Sequence, residues 1–291
     1  MGSLFEPGPR PTSRYTRQRE LMDYPTMPNT PNALTQAQID SFIADGFVRI
    51  DNAFPREYAD EGRAILWRDT GCDPNDPSTW TKPVIRLGGY ADAPFRQAAN
   101  TPLLHAAYDQ LVGKGRWLAP QGLGTFPIRF PSTEAPGDDG WHIDASFTLP
   151  TDDASDFFSI RANITSKGRA LLMLFLFSDV KENDAPTRIR VGSHLDMARF
   201  LLPYGEDGAT MRQMMAGNFA DTDRCPEALA AGPAGTVYLC HPFLVHAAQP
   251  NTGNRVKFMA QPPLIPAHGF DPGLPPSPVQ TAIRQACRLV L

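Results

Sequence analysis

At 291 residues, with 42% hydrophobic and 20% charged side chains, the chain has the make-up of an ordinary globular protein, long enough for one large domain with appendages. A formal net charge of −4 excludes the strongly basic surface of a nucleic-acid or anionic-membrane binder, so the expected partner is a small molecule. No apolar run approaches the roughly 20 residues of a membrane span, no signal-peptide core opens the chain, and Cys72, Cys225, Cys240 and Cys287 form no CxxC pair; together these predict a cytoplasmic protein with reduced thiols.

Residues 1–33 are rich in Pro, Arg, Thr and Asn without periodicity and are expected to form an extended or flexible arm. A helix should open at LTQAQIDSFIADGF, where Thr35 and Gln38 make a capping box, Leu34 can staple onto Ile39, and Gly46 ends the element. FVRIDNAF alternates like a strand. Further helices are expected over residues 56–67 and from Thr101-Pro102 to Gly113. This makes residues 34–118 a helical part of the domain.

From about residue 119 to 265 the pattern changes to short apolar or alternating runs broken by Gly, Pro, Asn and Asp: GTFPIRF, WHIDASF, FFSIRANI, ALLMLFLF, TRIRV, GTVYLCHPFLVH and VKFMAQP. Thirty prolines keep the elements short, because proline is barred from helix interiors and central strands. The fold class is therefore mainly β with flanking helices, a sandwich or barrel of antiparallel strands. ALLMLFLF is apolar at every position and reads as a central strand covered on both faces. FFSIRANI and ALLMLFLF, joined by TSKGR, read as a hairpin. ATMRQMMAG suggests a minor helix, with Met211, Met214 and Met215 as core filler, and the tail 266–291 should close with a helix from Thr281.

The chemistry concentrates in GWHIDASF. On a strand, positions i and i+2 face one side, so His142 and Asp144 can point together while Ile143 packs the other way. A neutral imidazole plus a carboxylate suits a divalent metal, and one more histidine completes the facial triad of non-heme Fe(II) oxygenases. Of the remaining histidines, His105 falls in an amphipathic helix, His268 in a proline-rich loop, and His194 in a turn beside the site. His241 and His246 are five apart in HPFLVH, so only one can face Asp144 on a regular strand. His246 is the preferred ligand because Asn251-Thr-Gly-Asn254 would turn the chain back and bring Arg255 alongside, with Lys257 of the same parity as the fallback. A guanidinium there can pair with the far carboxylate of a dicarboxylate co-substrate. Arg129 and Trp141 are candidate substrate contacts, whereas Arg161 reads as a surface ion pair.

These residues resemble the phytanoyl-CoA dioxygenase family of Fe(II)- and 2-oxoglutarate-dependent oxygenases. The resemblance rests on WHIDASF, on APTRIRVGSH for the family's Pro-Gly-Ser-His segment, on GTVYLCHPFLVHAAQPNTGNR, and on the opening LTQAQIDSFIADGFVRI; it covers roughly residues 34–262. Val191 stands where relatives usually carry proline, and Ala248 where they often carry a hydroxyl. The resemblance implies a double-stranded β-helix (jelly roll, cupin-like) with Fe(II) on His142, Asp144 and His246, and 2-oxoglutarate anchored by Arg255. It implies a reaction that consumes O2 and 2-oxoglutarate, releases succinate and CO2, and hydroxylates an unactivated C–H bond. With Asp144 present, no vacant carboxylate position remains for a halide, so hydroxylation is expected over halogenation. The rival is a non-catalytic jelly-roll protein that binds a metal or small molecule; a zinc hydrolase fits less well, because it gives Arg255 no task. Substrate selection should fall to the loops at residues 81–91, 132–140 and 200–218.

Overall fold

A computed structural model describes residues 33–153, 155–217, 219–269 and 273–288. The arm expected at residues 1–33 lies, apart from its last residue, outside the described residues. In chain order the elements are α1 (Gln36–Asp45), β1 (Phe47–Ile50), α2 (Arg56–Thr70), β2 (Val84–Leu87), α3 (Ala93–Ala99), α4 (Pro102–Leu111), β3 (Phe126–Arg129), β4 (Arg161–Ala162), β5 (Leu171–Leu176), β6 (Thr187–Arg190), α5 (Ser193–Leu201), β7 (Ala209–Thr210), α6 (Met211–Met215), β8 (Glu227–Ala230), β9 (Val237–Cys240), β10 (His246–Ala247), β11 (Met259–Ala260), β12 (Pro263–Leu264) and α7 (Pro278–Cys287). Among them no helix is long and apolar enough to cross a membrane.

Helix boundaries follow local chemistry. Thr35 accepts from the Gln38 backbone N–H while the Gln38 side chain accepts from Thr35, and Ser277 and Gln280 repeat the device at α7. Thr101 caps α4 with Pro102 in its first turn. Gly46 ends α1 at φ 88°, and a Cβ there would stand 2.5 Å from Nδ1 of His194. Only glycine permits both that dihedral and that approach.

The main sheet runs β1-β9-β5-β11, with β12 also on β5, all antiparallel. A backbone bridge between Arg129 and Lys257 carries it onward to β3 and β2. The opposing sheet is β10-β6-β8, extended by a bridge from His246 to His142. β5 shows how one sequence serves both faces. Leu171, Met173 and Phe175 join a cluster with Phe42, Phe95, Tyr108 and Ile283 of the helices, while Leu172, Leu174 and Leu176 join a cluster with Ile189 and Ala230 of the opposing sheet. Each such leucine contributes about 1.5–3 kcal/mol of apolar burial. The result is a jelly-roll core, open rather than a closed barrel, with helices packed on the outside of the larger sheet.

Four expectations are corrected. FFSIRANI does not form a hairpin with β5: Phe157–Ser159 is a 3-10 turn and β4 pairs with β7, because Arg161 is held by Asp152 through paired contacts of 2.7 and 2.9 Å. WHIDASF is not a regular strand; it meets its neighbours only at the bridges His142–His246 and Phe147–Arg161. His194, expected to hold a turn, lies instead in the first turn of α5, with Gly192 at φ 80° before the helix. Of the three methionines assigned to the core, Met211 and Met214 are buried but Met215 is 42% exposed.

Candidate metal centre

His142 and His246 face each other as a reciprocal backbone pair: the amide of His142 donates to the carbonyl of His246 at 3.0 Å, and the reverse bond is 2.9 Å. Directly opposed residues project to the same side, so the two imidazoles lie side by side with ring centroids 4.4 Å apart. Each ring also binds the carbonyl two residues before it, His142 Nδ1 to Gly140 at 2.9 Å and His246 Nδ1 to Leu244 at 3.0 Å. A carbonyl can only accept, so each Nδ1 carries the proton and each Nε2 presents its lone pair. Oδ1 of Asp144 lies 4.0 Å from Nε2 of His142 and 3.9 Å from Nε2 of His246. These atoms are too far apart to hydrogen-bond, yet near enough for one ion with ligand bonds of about 2 Å to sit among them.

The three residues form the one group among the described residues whose ligand atoms converge in this way, all within 4.8 Å of one another. His246 Nε2 is buried with no hydrogen-bond partner, an uncompensated acceptor of the kind a metal satisfies. Burial, followed by repulsion from His142, lowers the His246 pKa to about 4, so it is neutral at pH 7. Burial pushes the Asp144 pKa up, but Arg169 and then the two imidazoles outweigh it, and the net shift is downward. Two neutral nitrogens and one carboxylate at close range are the donor set for a borderline divalent ion.

A family model described as phytanoyl-CoA dioxygenase matches residues 30–259. The chain belongs to this family. Phytanoyl-CoA dioxygenase family members are iron- and 2-oxoglutarate-dependent enzymes, and this chain is an oxygenase of that class. No match was found among curated proteins. Among solved structures, the non-heme α-ketoglutarate-dependent carbocyclase SnoK from nogalamycin biosynthesis is 16% identical with a TM-score of 0.51, over 83% of this chain and 88% of that one. GIG2 of Candida albicans is 15% identical with a TM-score of 0.58, over 81% of this chain and 64% of its own. A putative oxidoreductase of Salmonella typhimurium LT2 is 13% identical with a TM-score of 0.53, over 80% of this chain and 70% of its own. These likenesses are of fold.

The other candidate residues of this phytanoyl-CoA dioxygenase family member are placed as follows. Arg255 sits in the surface turn beside Lys181, Asn183 and Thr252, its side chain 40% exposed and paired with Asp184. Lys257 is 1% exposed, on the strand face it shares with Met259 of the inner cluster, and its Nζ donates to the Ala185 carbonyl at 2.6 Å. Arg129, bridged to Lys257 through the backbone, is 4% exposed and forks onto Asp138 with two bonds of 2.9 Å. Burial, then Arg129, drives the Lys257 pKa well below its ordinary value, against a smaller pull from Asp138. Trp141 lies between Arg188 and Arg190, 4.6 and 4.2 Å from its ring, on the strand side away from His142.

His241 ends in the other sheet, because Pro242 breaks the run between β9 and β10; it accepts from the Phe243 amide and binds the Val279 carbonyl. His194 stacks beside it at 4.8 Å with Nε2 on the Ile43 carbonyl. His105 is held by Asn100, and His268 is exposed. Arg169, 9% exposed with Nη1 3.2 Å from Oδ2 of Asp144, was hidden in the sequence, where TSKGR reads as a connection. A cation immediately before the all-apolar run from Ala170 was the available signal.

Burial holds His194 neutral, with its pKa lowered to about 4, and also pushes the His241 pKa well below its ordinary value. The unfolded chain therefore binds protons that the folded chain refuses, and stability should fall as pH drops from about 6.5 toward 4, by on the order of 3 kcal/mol for His194 alone. Urea midpoints at pH 7 and pH 5 test this. A His194→Asn/His241→Asn double variant should show a flatter dependence than the wild type.

Proposed function

We propose that the chain hydroxylates an unactivated C–H bond of a small organic molecule, consuming O2 and 2-oxoglutarate and releasing succinate and CO2, with His142, Asp144 and His246 holding Fe(II). The observation that carries this reading is the buried, partnerless Nε2 of His246 beside a second imidazole nitrogen and a carboxylate. The family match over residues 30–259 supports an enzyme over the non-catalytic binder. Bound iron supplies the oxygen chemistry that side chains cannot.

The chain's own residues orient and hold. Two Nδ1–H bonds to carbonyls fix the imidazoles. Arg169 lies against Oδ2 of Asp144 while Oδ1 faces both histidines, which favours a carboxylate that ligates through one oxygen. Lys257, rather than Arg255, is assigned the far carboxylate of 2-oxoglutarate: it is buried and it faces the inner cluster, whereas Arg255 is already neutralised by Asp184 at the surface. In this assignment Arg129 stays paired with Asp138, and Trp141 secures the strand instead of contacting substrate.

Protein purified without oxygen and mixed with Fe(II) and 2-oxoglutarate should show the weak visible charge-transfer band of the chelate, and admission of O2 should release succinate even without prime substrate. Tightly retained zinc with no succinate formed would overturn the reading.

A further inference from the structure

Arg169 is the most buried cation in contact with the metal ligands, and its Nε and Nη1 are buried without a hydrogen-bond partner. The 3.2 Å approach of Nη1 to Oδ2 of Asp144 is a charge contact that lacks hydrogen-bond alignment. Buried guanidinium N–H groups are ordinarily satisfied, because stripping them of water without replacement is costly. Once a divalent ion shares the Asp144 carboxylate, less negative charge remains for Arg169, and the need for another acceptor grows.

The same side chain also lines a cavity of about 180 Å3 whose walls include Val112, Ala170, Leu274, Val279 and Ile283. The second arginine of that wall, Arg116, is already engaged by Gln280 and the Pro275 carbonyl. Arg169 therefore touches both an apolar chamber and the metal group, with Nε and Nη1 left without an acceptor.

We propose that Arg169 receives a carboxylate of the prime substrate, and that the substrate class is a small molecule with an apolar body and one anionic oxygen group. The apolar part fits the cavity walls, the carboxylate replaces the missing acceptors of Nε and Nη1, and a carbon near that carboxylate is brought toward His142, Asp144 and His246. This rests on the iron- and 2-oxoglutarate-dependent reading and names the substrate class of that site.

The test uses the full chain loaded with Mn(II) and 2-oxoglutarate without oxygen, so that binding is read without turnover. Phenylacetate, 3-phenylpropionate and octanoate are each titrated calorimetrically against their uncharged amides of the same shape. At least one carboxylate should bind about tenfold or more tighter than its amide, the range of a charge-assisted hydrogen bond. With Mn(II) and 2-oxoglutarate held at saturating concentrations for each variant, Arg169→Gln should erase that preference, and Arg169→Lys should restore part of it. Equal binding of every carboxylate and amide by the wild type, or an undiminished preference in Arg169→Gln, would overturn the proposal. If Arg169→Gln instead weakens 2-oxoglutarate tenfold and spares the carboxylate preference, the anion is the co-substrate and the proposal is wrong. Failure of the wild type to bind Mn(II) or 2-oxoglutarate at all would count against the functional reading itself. Melting curves of both variants, matched to the wild type, separate loss of binding from loss of fold.

Discussion

Asp144→Ala and His246→Ala should each abolish stoichiometric Fe(II) retention, the visible band with 2-oxoglutarate, and succinate release. Removing a group that merely supports a ligand typically lowers metal affinity by about 10- to 100-fold, so losing a ligand should exceed about 100-fold. His142→Ala should behave alike, since its Nε2 shares the same Oδ1 of Asp144. His241→Ala is the control that discriminates. Its nitrogens are already engaged by Phe243 and Val279, so the variant should keep iron and instead lose about 2–4 kcal/mol of stability from a cavity beside Phe42 and His194. Iron lost in His241→Ala but kept in His246→Ala would show that the ligand set is misassigned.

The second large effect is expected at Lys257. An amine that is 1% exposed and destabilised as a cation by burial and by Arg129 is poorly placed unless an anion arrives to meet it. Lys257→Met should therefore raise the half-saturating 2-oxoglutarate concentration by roughly 30-fold or more, the cost of truncating one partner of a buried charge pair. The same substitution should raise the melting temperature of the protein without 2-oxoglutarate, because methionine fills the volume without a charge to desolvate. Arg255→Ala should change the 2-oxoglutarate requirement by less than about threefold, since its guanidinium is 40% exposed on the side chain and occupied by Asp184. Steady-state succinate assays against 2-oxoglutarate, with thermal melts, measure both parts. The opposite ranking of the two variants would return the anchor to Arg255.

How much was legible in the sequence follows from how local the determining physics is. The capping box at Thr35 and the Thr101-Pro102 start are decided within one turn and can be read from a few letters, whereas the same device at Ser277 was passed over and the closing helix, expected from Thr281, starts at Pro278. The unbroken apolarity of β5 likewise reveals a strand wetted on neither face. The convergence of His142, Asp144 and His246 was anticipated by a parity argument that presumed a regular strand. The segment is irregular, and the convergence depends instead on a single backbone pairing with β10. The proposal of Lys257 in place of Arg255 as the anchor rests on neighbours that the sequence does not display, because both residues share one parity while Asp184 lies beside one and Ala185 with Arg129 beside the other. Arg169 was missed for the same reason: its meaning comes from Asp144, distant in sequence, and from helix α7 across the cavity. The false hairpin of FFSIRANI with β5 arose because adjacency in sequence was taken for adjacency in the sheet, where β9, β11 and β12 pair with β5 instead.

Since the amides and carbonyls of His142 and His246 are bonded to each other, both nitrogenous arms of the site are cross-tied before any ion arrives. An incoming cation meets a ready pincer rather than two wandering rings, and the adjustment left to make is the swing of one carboxylate. Uptake should accordingly order little of the polypeptide, so amide exchange at these two positions should already be slow in protein stripped of its ion.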